Sequence, residues 1–204
     1  MQKPIKAIFL DKDGTLIRDV PYNVDPHRIA LSCKAAEGLR LFSQLGYKLI
    51  VVSNQPGVAM GYFDENELSK VWKRLDELLQ PEGVQLAGYY YCPHHPVGLL
   101  TDLAMACDCQ KPLPGMLLQA AEDHDIDLSS SWMVGDILND IEAGKRAGCR
   151  TILIDNGNET EWEMSPMRMP DLMAPDLYIA ALQVAAAQPQ HQQQDWSEMG
   201  SPAA

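Results

Sequence analysis

Two carboxylates stand one residue apart in Asp11-Lys12-Asp13-Gly14-Thr15, where a glycine turns the chain directly after the apolar run at residues 5–10. If that run is a strand of an open α/β sheet, the pair sits at its carboxyl end, the edge where such sheets bind ligands. An isolated Asp-x-Asp-Gly is equally at home in a surface turn, because both residue types favour turns. Other groups weigh against the plain turn. Ser53-Asn54-Gln55 follows the apolar run 49–52, Lys111-Pro112 precedes a helical pattern, and Gly135-Asp136 closes the run 132–134 with Asp140 just beyond. Placed at strand ends, all of these fall on one sheet edge.

A second constellation is rich in sulfur. Cys92-Pro93-His94 and Cys107-Asp108-Cys109 offer three thiolates and an imidazole, soft and borderline ligands that suit tetrahedral zinc. A disulfide among these cysteines would leave one thiol over and would need an oxidising compartment, so the set reads as metal in a reducing one. Four protein ligands leave no open position, which makes such a zinc structural. His95 is a bystander that could replace His94, and Cys33 and Cys149 stand alone.

Short apolar runs at 5–10, 49–52, 86–91, 132–134 and 151–154 read as buried strands. Helical patterns lie between them. Ala35, Leu39, Phe42 and Leu45 recur at helical spacing and stop at Gly46, a good C-terminal cap. Asp64 and Glu67 form a capping-box-like opening to a second helix that continues through Leu68, Val71, Trp72, Leu75 and Leu79. A third helix begins near Pro114, and a fourth spans 138–147 before Gly148. This alternation predicts an α/β fold: a Rossmann-like parallel sheet with helices on both faces. Residues 93–114 lack periodicity and form a long loop that something other than a core must order. From Gln188 onward the chain is rich in Gln, Pro and Ser and reads as a disordered tail, so the expected domain is residues 1–187.

The chain has 204 residues, 46% of them hydrophobic, enough for one domain with a substantial core and no disulfide staples. No apolar run approaches the ~20 residues that cross a bilayer, and the expectation is a soluble cytoplasmic monomer without an export signal. Sixteen Lys and Arg against 28 Asp and Glu give a net charge of −12, which disfavours nucleic acid as a partner. An anionic small substrate would need locally concentrated cations or a metal ion to hold it.

Asp-x-Asp after the first strand, Ser after the second, then a lysine and a Gly-Asp pair occur here in the order that marks the haloacid dehalogenase-like phosphohydrolases. The chain resembles that family over residues 5–154. The resemblance implies that Asp11 is a nucleophile forming an aspartyl-phosphate, and that Asp13 protonates the leaving oxygen and then deprotonates water. It also implies magnesium held by Asp11, Asp136 and the backbone carbonyl of Asp13, with Ser53 and Lys111 stabilising the phosphoryl oxygens. Asp140 either orients Lys111 or is an exposed first-turn acid favouring the helix dipole. The absence of a long apolar block implies no large cap domain, and a site closed only by loops.

The Cys and His cluster, followed by Lys111-Pro112, is similar to the zinc loop of one branch of the family. That branch contains the D-glycero-D-manno-heptose 1,7-bisphosphate 7-phosphatases and the histidinol-phosphate phosphatases. It implies zinc on Cys92, His94, Cys107 and Cys109, a zinc-stabilised loop over 92–109, and removal of the 7-phosphate of the heptose bisphosphate or a related sugar phosphate. It implies substrate contacts from Asp19, Tyr22, Ser53, Asn54, Gln55, Gln110 and Lys111. Histidinol phosphate is the alternative substrate. A nucleic-acid end phosphatase and a zinc-stabilised module without catalysis are the readings from other classes, the latter disfavoured by so many like charges at one edge. Two residues depart from the heptose enzymes, Gln110 where they carry Arg and Ile137 where they carry Lys. Both changes remove a cation, so a weaker preference for a bisphosphate is expected unless Lys12, Arg18 or Lys145 reaches in.

Overall fold

The structure, a computed structural model, describes residues 4–188. Six strands, β1 (Lys6–Leu10), β2 (Tyr47–Asn54), β3 (Gly88–Cys92), β4 (Trp132–Gly135), β5 (Arg150–Ile154) and β6 (Leu172–Ala174), form one parallel sheet. Their order is β3-β2-β1-β4-β5-β6. Because β1 is covered on both faces, it reads as a continuous apolar run. Its alternating side chains serve two cores, Ile8 and Leu10 on one face, Ala7 and Phe9 on the other.

Helices α1 (Ala35–Gln44), α2 (Glu67–Leu79), α3 (Gly115–His124), α4 (Leu138–Ala147) and α5 (Leu177–Ala186) cover the sheet. Those on the Ile8 face include α1, α2 and α5, and those on the Phe9 face are α3 and α4. The chain moves outward from β1 to β3 and then crosses back to β4, so the direction of the strand order reverses beside β1. Ligands of open α/β sheets bind at such a switch point, outside the carboxyl ends of the strands. Asp11 and Asp136 follow β1 and β4 there. No large cap interrupts the described residues; the connection from β1 to α1 folds instead as a flap, pinned by Ile17 N–H to Lys12 O (2.9 Å), Arg18 N–H to Ala30 O (3.0 Å) and Ser32 N–H to Leu16 O (3.0 Å).

The structure departs from the sequence reading at four places. The strand expected at 86–91 begins two residues later and ends on Cys92, which makes a metal-ligand candidate the last residue of a strand. The capping box of Asp64 and Glu67 does not form: α2 starts at Glu67, the Asp64 carboxylate accepts from Asn66 instead, and Glu67 pairs with Lys70. Neither β6 nor α5 was anticipated. The tail expected from Gln188 lies, apart from Gln188 itself, outside the described residues.

Candidate active site

Asp11 is the first residue beyond β1, and its N–H is fixed by the Val134 carbonyl of the neighbouring strand (2.9 Å). The chain then turns at Gly14, whose φ of +85° suits glycine, and whose missing Cβ would lie 2.0 Å from Asp136 Oδ2. A side chain at this position would fill the site. Asp136 is held from two sides, by the Thr15 hydroxyl on Oδ1 (2.9 Å) and the Asn158 amide on Oδ2 (2.7 Å). Burial, then the charges of Asp11 and Asp140, push its carboxyl up to about 7.

Lys111 enters from the long loop and is buried. Its ammonium donates to Asp11 Oδ1 and to the Val52 carbonyl (3.0 Å), and pairs with Asp140 at 2.6 Å. Asp140 is wholly buried and its other oxygen accepts from Ile137 N–H (3.3 Å), so it is the lysine's partner and not an exposed helix-dipole acid. Burial opposes charge on Lys111, yet Asp11 and Asp140 outweigh it and keep the amine protonated well above its ordinary range. Burial likewise lifts Asp140 to about 6, against the pull of Lys111. The Asn54 amide braces the lysine from below, donating to Lys111 O and accepting from Lys111 N–H, both at 3.0 Å.

Gln55 links the remaining groups, donating to Ser53 Oγ (2.8 Å) and to Asp13 Oδ2 (3.2 Å). Asp13 also pairs with the buried Lys12 at 3.1 Å. Burial raises the Asp13 carboxyl, Lys12 counters it, and Asp11 adds to the rise. Asp19, Tyr22, Asn54 and Gln55 line a cleft of about 290 Å³ next to Asp13, and the Tyr22 ring is backed edge-on by Tyr62 (4.8 Å). Gln110 and Ile137 do not line this cleft. Ile137 is the residue before α4, and Gln110 lies between Cys109 and Lys111.

Four carboxylates, Asp11, Asp13, Asp136 and Asp140, thus face two buried ammonium groups. With all four ionised the carboxylates exceed the ammonium groups by two charges, and donors that are all oxygens fit a hard divalent cation. Asp11, Asp136 and Asp140 each offer an oxygen within 4.8 Å of the others. Lys111 already occupies the space between Asp11 and Asp140, which leaves the Asp11 and Asp136 side for a cation.

Cys92, His94, Cys107 and Cys109 converge as expected, with Sγ to Sγ separations of 3.1 to 3.4 Å and His94 Nδ1 at 3.3 Å from Cys109 Sγ. All five cysteines are free, so no disulfide competes. The donor set is one that zinc takes, and the sulfur atoms would spread by about half an ångström to reach the ~3.8 Å edge of a tetrahedron with Zn–S near 2.3 Å. Burial pushes Cys109 up to about 11 and Cys92 higher, while Cys107, despite burial, is lowered by the thiols that donate to it. His95 stays outside; its ring accepts from Val97 N–H (3.3 Å).

The sequence reading missed the connection between β5 and β6, residues 155–171. Asn156 donates to Gly14 O (2.7 Å), Asn158 holds Asp136, and Glu159 accepts from Leu138 N–H (2.7 Å) at the start of α4. The loop is strapped to α4 by Arg168, which binds Glu142 at 2.7 Å and Asn139 at 3.1 Å.

An open parallel sheet with carboxylates and a buried lysine at its switch point defines a hydrolase of the haloacid dehalogenase-like class, and the chain belongs to that family. The family model described as HAD-hydrolase-like matches residues 108–180. The chain is 43% identical over 153 residues to the D-glycero-beta-D-manno-heptose-1,7-bisphosphate 7-phosphatase of Pasteurella multocida, covering 74% of this chain and 83% of the relative. It is 39% identical to the D-glycero-alpha-D-manno-heptose-1,7-bisphosphate 7-phosphatase of Photorhabdus laumondii, covering 76% and 86%. Its fold is similar to the crystal structure of D,D-heptose 1,7-bisphosphate phosphatase from B. bronchiseptica complexed with magnesium and phosphate, with a TM-score of 0.73, 27% identity, and 90% and 100% of the two chains covered.

Proposed function

We propose that residues 1–187 form a magnesium-dependent phosphatase that removes the 7-phosphate of D-glycero-D-manno-heptose 1,7-bisphosphate, acting as a monomer in the cytoplasm. The observation that carries the reading is the meeting of Asp11, Asp13, Lys111 and Asp136 on one sheet edge, in a chain whose relatives carry that activity in their names. The free thiols suit a reducing compartment.

An Asp11 oxygen attacks phosphorus while the ester P–O bond breaks and Asp13 gives its proton to the leaving alkoxide. Asp13 then takes a proton from water, the water oxygen attacks the aspartyl-phosphate, and inorganic phosphate leaves with Asp11 restored. Burial holds the Asp13 carboxyl above its ordinary value, the direction that favours a group which must carry a proton to the leaving oxygen. Lys111 and Ser53 hold the equatorial oxygens, while Asp140 and Asn54 keep Lys111 in place. Asp11, Asp136 and the Asp13 carbonyl would hold magnesium, which neutralises phosphoryl charge when bound. Zinc on Cys92, His94, Cys107 and Cys109 would order the loop that delivers Lys111.

Asp13→Asn tests the acid role. The variant is expected to lose about 10² to 10⁴ in kcat on alkyl phosphates and much less on p-nitrophenyl phosphate, whose leaving oxygen needs no proton. Equal losses on both esters would remove Asp13 from that role. A phosphate-release screen across both anomers of the heptose bisphosphate, their monophosphates and histidinol phosphate tests the substrate, with the heptose bisphosphate expected to be turned over best.

The raised carboxyl of Asp136 sets a pH dependence for magnesium. Its folded value of about 7 lies above its ordinary 3.8, so without metal its charge destabilises the fold increasingly as pH rises from 4 to 7, and fully above that. A cation relieves that penalty, and below about pH 7 a proton competes with it. Magnesium should therefore raise the melting temperature clearly at pH 8 and little at pH 5.5. Equal shifts in thermal melts at the two values would take Asp136 out of the magnesium site.

A further inference from the structure

Beside the Asp13 cleft lies a second cleft of about 290 Å³, on the other side of the flap and toward β5 and β6. Its floor is Gly14 and Thr15, and Ser32, Asn156 and Asn158 supply neutral polar groups around it. It opens next to the site proper, because Thr15 and Asn158 are the two residues that hold Asp136. Arg18 also lines it. Among the described residues the Arg18 guanidinium has no ion pair and no hydrogen bond, although Asp19 and Asp176 line the same cleft. Asp176 is engaged elsewhere, accepting from Ile179 N–H at the start of α5 (2.9 Å).

An unpaired arginine in a protein of net charge −12 is a conspicuous donor set. The other cations that could serve the site are engaged. Lys12 is 1% exposed and pairs with Asp13, Lys111 lies between Asp11 and Asp140, and Lys145 pairs with Asp171 at 3.1 Å. Arg18 is also well positioned. Its N–H is bound to Ala30 O, and Ile17 before it is buried, so the side chain springs from a fixed point on the flap five residues after Asp13.

We propose that Arg18 and the cleft it lines form the subsite for the second phosphate of the substrate. This rests on the bisphosphate reading above and names the residue behind it. The sugar crosses the Asp13-Gly14 turn, with its reacting phosphate at Asp11 and its far phosphate on the guanidinium fork, which matches a phosphate's paired oxygens. With Gln110 and Ile137 uncharged, one cation carries the preference for a bisphosphate.

The test compares kcat/KM for the heptose 1,7-bisphosphate and the matching 7-monophosphate in wild type, Arg18→Ala and Arg18→Lys, with thermal melts to check folding. Wild type is expected to favour the bisphosphate by about ten- to a hundredfold, the range of a single charge-assisted contact. Arg18→Ala should bring the ratio near one, chiefly through KM for the bisphosphate, and Arg18→Lys should keep part of the preference because the charge remains while the fork is lost. A bisphosphate preference undiminished in Arg18→Ala overturns the assignment of Arg18 alone. Wild type that hydrolyses p-nitrophenyl phosphate but neither heptose ester overturns the substrate reading, and the subsite with it.

Discussion

Asp11→Asn is expected to abolish turnover, with a loss of at least ~10⁴-fold in kcat, while the protein keeps its fold. The amide has no nucleophilic oxygen anion and withdraws a charge from the proposed magnesium site. The fold survives because Asn fills the same space and Lys111 keeps Asp140 at 2.6 Å and the Val52 carbonyl at 3.0 Å. Removing Asp11 also relieves the crowding of Asp136 and Asp140, whose carboxyls it helps to raise. The melting temperature should therefore hold or rise slightly. Phosphate release read together with a thermal melt decides the matter: activity above a few per cent of wild type in a folded variant would mean that another group attacks phosphorus.

Loss of zinc should have the largest effect on stability. Structural zinc contributes about 10 kcal/mol or more in small zinc peptides, and a loop on a stable domain realises only part of that. A loss of roughly 3 to 4 kcal/mol would lower the melting temperature by about 10 °C in a chain this long. Lys111 follows Cys109 by two residues, and Gly115 N–H binds Asp108 O (2.9 Å), so the cage fixes both the lysine and the start of α3. Cys109→Ser, or chelation of the wild type, is expected to lower stability and to weaken phosphate binding, with added magnesium unable to restore either. Purified protein without zinc by elemental analysis, or Cys109→Ser with unchanged melting and kinetics, would contradict this role.

Much of the catalytic edge was legible because the groups follow apolar runs, and strand direction then places them together without further information. Helix α4 was legible to the residue, since its apolar spacing stops at Gly148, which takes a φ of +90°. Helix α5 was not. Its sequence LYIAALQVAA is apolar nearly all round and has no polar face to mark a helical period, and its strongest signal was the single capping residue Asp176. The three-residue β6 is too short for alternation to register. Asn158 was illegible for another reason: its partner Asp136 is 22 residues away, and a loop contact of that kind leaves no periodic trace. Asn54, expected at the substrate, lines the cleft beside Asp13 and also braces Lys111 across 57 residues, a relation that only the folded pairing of β2 with the long loop creates.

The central place of β1 means that the machinery is divided between parts of unequal permanence. β1 is bonded on both sides, and Ala7, Ile8, Phe9 and Leu10 have no exposed surface. Amides in such a strand exchange with solvent only when the whole domain opens. The loop that delivers Lys111 has exposed stretches, Val97 and Leu99 among them, and depends on a few ligands for its order. Under heat or chelation the molecule is thus built to lose its counter-charge before its nucleophile, leaving Asp11 correctly aimed in a pocket that has become too negative to admit a phosphate.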